Sequence, residues 1–210
     1  MRPSMSHVRW FGSVVCLLAA CLARPAFADR RPPQVLVGVT FAQMRFENTR
    51  DLGIDWRNSI TAGVSFPVPV LPEDGPIGLR GQVLLVPRGG AISDGIQTEK
   101  FKFSYIDLMA LVDLELKPTI RGEHIHLLIG PTLHVRTSAK VYVNGQAFDI
   151  GDNVERVDAG IAIGADFTLI PRRLDVQVTY IPGLRPIFKT STNNAKNSTL
   201  LVLITPRLVR

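Results

Sequence analysis

From residue 29 onward apolar side chains alternate with small or polar ones over stretches of about ten residues, with Gly, Pro, Asn and Asp clusters between them. A period of two places alternate residues on opposite faces of a strand and smears them around a helix. In Leu174-Asp175-Val176-Gln177-Val178-Thr179-Tyr180 every even position is apolar and every odd one polar. Between 157 and 169 the odd positions are Val157, Ala159, Ile161, Ile163, Ala165, Phe167 and Leu169, and the even ones are small or polar. The pattern predicts strands near 35–46, 57–69, 77–87, 101–116, 124–136, 155–169, 173–182 and 198–209, eight in all. The fold class that follows is all-β.

The fourth segment changes phase, from Phe101, Phe103 and Tyr105 on odd positions to Ile106, Leu108, Ala110, Val112 and Leu114 on even ones. A β-bulge near Tyr105 would reconcile the halves. The eighth is ambiguous, because Leu200 to Ile204 is apolar on both parities. Connections after the second, fourth and sixth segments read as short turns, and those after the first, third, fifth and seventh as longer loops, at 47–57, 88–100, 137–153 and 183–197. Short turns at one end and long loops at the other describe an eight-stranded antiparallel up-and-down transmembrane β-barrel, with both termini on the turn side. Asn144-Gly145, between extended apolar residues, is a type I′ hairpin signal. That hairpin extends the barrel wall, folds over its mouth, or adds two strands to make ten.

In a membrane the apolar parity faces lipid and the other parity the lumen, and ring closure satisfies the backbone. The lumen set is then Thr40, Ser59, Thr61, Arg80, Gln82, Asp107, Asp113, Glu115, Thr132, Asp158, Asp166, Asp175, Gln177 and Arg207, with Arg80 and Arg207 as counterions of the aspartates. Eight strands leave room only for side chains, so no open pore is expected. A soluble periplasmic or secreted barrel would invert the assignment and enclose an apolar ligand. Gly160, Ala162 and Gly164 beside charged neighbours favour a crowded interior, and Phe46, Trp56, Phe101, Phe103 and Tyr105 suggest an aromatic girdle at the loop end.

The first 28 residues have the layout of a secretory signal, with basic residues up to Arg9, an apolar stretch from Trp10 to Ala23, and Ala26 and Ala28 at a small-x-small site. The expected division is a signal peptide over 1–28, cleaved after Ala28, and a barrel domain over 29–210. The apolar stretch is shorter than the roughly 20 residues of a membrane-spanning helix, which argues against a retained anchor. Leu18-Ala19-Ala20-Cys21 is a competing lipoprotein box in which Cys21 would carry lipid. Cleavage after Ala28 removes Cys16 and Cys21, leaving no thiol for a disulfide. It also removes three arginines and no acid, so the formal +6 of 24 basic and 18 acidic residues falls to 21 against 18, a surplus of +3. So small a surplus is a weak argument for nucleic acid or anionic lipid as partner, and composition alone sets both aside.

Side chains with chemical potential are few. His124, His126 and His134 share one parity, and the first two, with Glu115 or Glu123, are candidate metal ligands. His134, Thr137 and Ser138, with Asp149 or Asp152 as the acid, are a candidate site for an outer-surface enzyme acting on lipid or peptide. Neither group has a spacing that fixes its geometry. Phosphate-binding glycine loops, His-Glu-x-x-His and Gly-x-Ser-x-Gly are missing after residue 28. The expectation is no enzyme, no cofactor and no metal.

Three segments resemble a known family. Tyr105-Ile106-Asp107-Leu108-Met109-Ala110-Leu111-Val112 and Leu127-Leu128-Ile129-Gly130-Pro131-Thr132-Leu133 are similar, in order and spacing, to consecutive strands of the PorT-type outer-membrane β-barrel family. Arg173-Leu174-Asp175-Val176-Gln177-Val178-Thr179-Tyr180, followed by Pro182-Gly183-Leu184, resembles its penultimate strand and loop start. The resemblance implies a Gram-negative outer membrane and an eight-stranded barrel, hence outer-membrane lipid around it; protein partners are expected at the long loops. It implies little about activity.

Overall fold

The computed structural model describes residues 33–46, 53–69, 76–93, 98–116, 125–170, 173–189 and 195–206. Its strands are β1 Gln34–Phe46, β2 Gly53–Asp55, β3 Arg57–Pro67, β4 Ile77–Ser93, β5 Thr98–Leu116, β6 Ile125–Val143, β7 Gln146–Asp149, β8 Val157–Ile170, β9 Leu174–Ile181 and β10 Ala195–Pro206. Eight of them pair antiparallel in the ring β1-β3-β4-β5-β6-β8-β9-β10, and β10 returns to β1 through a ladder from Val37–Ile204 to Phe46–Ala195. The barrel is closed, and closure leaves no edge along the shared ladders for another chain to pair with. The short β2 and β7 only lengthen the wall, on β4 and β6 respectively. Asn144-Gly145 makes the β6–β7 turn with φ of 51° and 84°, the two positive values that a type I′ turn requires. The hairpin extends the wall and adds no strand to the ring.

Three strands run further than the alternation suggests. β4 continues through Gly89 and Gly90 to Ser93, and β5 begins at Thr98, so most of the expected loop 88–100 is a ribbon paired from Pro87–Ser104 to Ser93–Thr98. The Gly-Gly pair reads as a turn in sequence, but a partner strand at the same height keeps it extended. β6 likewise reaches Val143 where the alternation implied an end near 136. At 17 to 19 residues, β4, β5 and β6 are far longer than the roughly 9–11 residues that cross a bilayer. They form a wall that continues past the rest of the ring at the long-connection end. The last strand spans Ala195–Pro206, three residues earlier than expected at each end, and Arg207 lies outside the described residues.

The bulge sits where the phase change points, but on the neighbouring strand. Ser104 pairs with Ser138 and Tyr105 with Arg136, so Thr137 of β6 is the extra residue. β5 itself keeps one parity throughout, with odd residues from Phe101 to Glu115 inward and even residues outward. Its change of pattern therefore records a change in what lines the interior, from aromatic near the loops to acidic below. Phe101, Phe103 and Tyr105 face inward and form no girdle, whereas Trp56 is exposed.

The outward face settles which solvent the barrel is built for. Odd residues of 35–41, 77–91, 125–135 and 157–169, and even residues of 58–66, 104–116, 174–180 and 200–206, include no Asp, Glu, Lys or Arg. Many stand open, such as Ile60 at 77%, Leu85 at 60%, Val35 at 56% and Ile163 at 53%. An apolar band around the whole wall exceeds the few hundred Å² that a water-soluble monomer exposes in one patch. The ligand-enclosing inversion, apolar side in, is not the arrangement found.

Candidate functional site

The interior is layered, and the layers can be followed along four consecutive strands. Next to the short turns, Arg80 of β4 bridges two carboxylates, 2.6 Å from Asp113 of β5 and 2.6 Å from Asp166 of β8. His126 of β6 joins them, its Nδ1 2.7 Å from Asp113 Oδ1. Across the barrel Gln82 donates to Gln177 at 2.8 Å, Gln177 donates to Thr179 at 2.8 Å, and Thr168 donates to Asp175 at 3.0 Å. Alternation supplies this layer directly, since each strand places an inward residue every second position.

Further along the same strands the inward residues turn apolar, with Leu84 and Val86 on β4, Met109 and Leu111 on β5, Leu128 on β6 and Ala162 on β8. Leu36, Ile181, Leu201 and Leu203 complete that cluster. Its existence explains why β10 was unreadable: Leu201 and Leu203 are fully buried inside, while Leu200, Val202 and Ile204 face out. A lumen that is apolar at mid-height erases the contrast between faces.

A second polar layer follows. Arg88 of β4 pairs with Asp107 of β5, and His134 Nδ1 of β6 lies 2.9 Å from Asp107 Oδ1 and 3.1 Å from an Arg88 nitrogen. His134 Nε2 meets the Thr132 hydroxyl at 2.9 Å, and the Arg88 guanidinium lies 5.0 Å from the centre of the Tyr105 ring. Room for this layer comes from Gly160, where a β-carbon would sit 3.0 Å from Thr132 Oγ1 and 3.2 Å from His134 Nε2. Arg88 is the residue that sequence reasoning missed, placed in a loop because of the glycines after it. The signal was present, since Arg80, Gln82, Leu84, Val86 and Arg88 share one parity.

Above the second layer an apolar lid closes the long-connection end. Met44, Phe103, Tyr105, Ala139, Val154, Ile187 and Ala195 are buried together, with Phe101, Ile150 and Phe188 against them. Phe101 meets Phe188 edge-on at 6.2 Å. The segments that carry the lid are tied by backbone hydrogen bonds, Glu155 N–H to Ile187 C=O at 2.8 Å and Ile187 N–H to Ala195 C=O at 2.8 Å. Arg136 donates to the carbonyls of Gly151 and Val154, fixing the first of them from the barrel wall.

The candidate catalytic residues are not brought together, whereas of the candidate metal ligands Glu115 stands opposite His126 in the β5–β6 register. His134 is sealed in the second polar layer, whereas the Thr137 hydroxyl is exposed and donates to the Ser104 carbonyl at 3.0 Å. Asp149 accepts from the Gly151 N–H at 2.8 Å, Asp152 lies exposed in the 3-10 turn Gly151–Asn153, and Ser138 is half-buried on β6. His126 faces the lumen and not a solvated rim, Glu115 shares its inward parity, and His124 and Glu123 lie outside the described residues. Among the described residues no group of three His, Cys, Asp or Glu could hold a metal ion. Of the expected counterions, Arg80 takes the role given to it.

The described residues thus form a closed eight-stranded ring, apolar outside and ion-paired inside. The family model described as outer membrane protein beta-barrel domain matches residues 33–189. The chain belongs to that family. It is an outer-membrane β-barrel protein, in agreement with its uncharged outer band. Among curated proteins no sequence matches it. Among solved structures, Neisserial surface protein A is similar with a TM-score of 0.52 at 14% identity, over 84% of this chain and 97% of that one. Ail, the attachment invasion locus protein of Yersinia pestis, gives 0.47 at 13% identity, over 84% and 97% of the two chains. OprG from Pseudomonas aeruginosa gives 0.42 at 11%, over 84% and 95%. At these identities the likeness to the Neisserial protein concerns the fold, and no activity passes with it.

Proposed function

We propose that this outer-membrane barrel serves a structural or interaction role, exerted through its long-connection end, and that it conducts nothing and catalyses nothing. The observation that carries the reading is the pairing of an uncharged outward band with an interior filled by ion pairs, apolar side chains and a lid. The first 28 residues act as a signal peptide cleaved after Ala28, and the chain end and short turns face the periplasm. The ribbons of β4, β5 and β6, the β6–β7 hairpin and the lid segments then project outside the cell, where protein partners would meet them. Within the family, the three similar segments support a PorT-type barrel.

Fractionation of expressing cells tests this, with the washed outer membrane run on an SDS gel with and without boiling. The expected result is an outer-membrane band starting at Asp29 that migrates differently when boiled, as a closed barrel does. Recovery in the soluble periplasmic fraction would overturn the reading.

A further inference from the structure

The apolar band ends on β5 at Ile106 and on β6 at Val135, and the outward residues above it are of another kind. Lys100 and Lys102 of β5 and Lys140 and Tyr142 of β6 all face outward there, with Lys102 opposite Lys140 and Lys100 opposite Tyr142 in register. Like charges directly opposite one another in a sheet repel, with β-carbons about 4.5–5.5 Å apart. Lys102 Nζ lies 4.2 Å from the centre of the Tyr142 ring. Asp149 is the acidic neighbour, opposite Lys140 on β7, but its carboxylate is turned to the Gly151 N–H. Among the described residues no carboxylate comes within ion-pair distance of Lys100, Lys102 or Lys140. Three clustered cations with one ring and a single carboxylate turned toward the Gly151 N–H leave an excess of positive charge on this face.

Height says which anion. Lys102 is four residues above Ile106, about 13 Å along the strand and about 10 Å of height at the usual barrel tilt. The polar headgroup layer adds about 5–8 Å to each side of the hydrocarbon, and a lysine side chain reaches back toward it along its own stem. An aromatic ring beside the lysines suits the same depth. Resting on the membrane reading above, we propose that Lys100, Lys102, Lys140 and Tyr142 bind the phosphorylated headgroup of an outer-leaflet glycolipid whose acyl chains lie on the band formed by β5 and β6. The lipid balances that positive charge and fastens the protruding wall to the surface of the membrane.

The test refolds the chain into phosphatidylcholine vesicles containing lipid A, either bisphosphorylated or dephosphorylated, and measures lipid retained through mild detergent extraction by native mass spectrometry. Wild type should retain the bisphosphorylated form selectively. The Lys100→Gln/Lys102→Gln/Lys140→Gln variant should retain it roughly tenfold to a hundredfold less, given the usual worth of a lysine at an anionic surface. Arginine at the same three positions should restore retention. Equal retention by the glutamine variant, or equal retention of the dephosphorylated lipid by wild type, would overturn the proposal. Displacement of the lipid by inorganic phosphate alone would make this a free-anion site and overturn the lipid assignment. The three side chains take part in no ladder bond, so the glutamine variant should keep its heat-dependent gel shift. Loss of that shift in wild type would instead defeat the membrane-barrel reading.

Discussion

Arg88 holds Asp107 at a depth where water cannot replace it, both side chains being almost fully buried. Removing one member of a buried pair leaves an uncompensated charge and costs about 3–5 kcal/mol, more than the pair itself is worth. Arg88→Ala should therefore lower the urea midpoint of the refolded barrel sharply, while the double variant Arg88→Met/Asp107→Leu should recover most of the loss. Equal midpoints for the single and double variants would show that the charge was never isolated. Gly160 tests the same layer from the opposite wall, because an added β-carbon meets Thr132 at 3.0 Å and His134 at 3.2 Å. Gly160→Val should cost about 1–3 kcal/mol by overpacking, read from the same unfolding curve.

At the level of the strand, alternation alone carried most of the architecture, because a barrel with lipid on one side and a packed interior on the other repeats one contrast at every second residue. It failed where the contrast failed. β10 carries leucine on both faces, and on β5 the inward aromatics Phe103 and Tyr105 look like lipid contacts. The protruding ribbons escaped notice for a different reason, since outside the membrane neither face must be apolar and only a partner strand keeps the chain extended. The polar site was half legible: Arg80 was assignable to the aspartates by parity, whereas the place of His126 beside Asp113 and of His134 beside Asp107 depends on register, which no single strand reveals. The assignment of faces makes a quantitative claim. Ile161→Arg and Val176→Arg, on outward positions within the band, should each cost about 2–4 kcal/mol, against about 0–1 for Ser104→Arg at its edge. The measurement is folding yield in vesicles, scored by the heat-shifted band. Gln177, which sequence alone makes a tolerant lumen position, is no fair control, since it is buried and hydrogen-bonded to Gln82.

For the whole molecule, the question is whether the barrel can pass anything, and the answer depends on how many barriers lie in series. Along β4 the inward side chains run Arg80, Gln82, Leu84, Val86 and Arg88, so one strand crosses a polar layer, an apolar layer and a second polar layer. The lid adds a fourth barrier made from different segments. An ion moving through would have to break paired charges twice and cross an unsolvated apolar zone between them, where desolvation costs several kcal/mol or more. Opening the lid alone removes only the last barrier. The double variant Phe101→Ser/Phe188→Ser, which breaks the edge-on contact at 6.2 Å, should therefore expose the lid segments to protease yet leave the barrel electrically silent. In planar bilayers, wild type and the lid variant should both give no stable single-channel steps. Steady steps from the lid variant would mean that the lid alone closes the barrel and that the layers beneath it hold water.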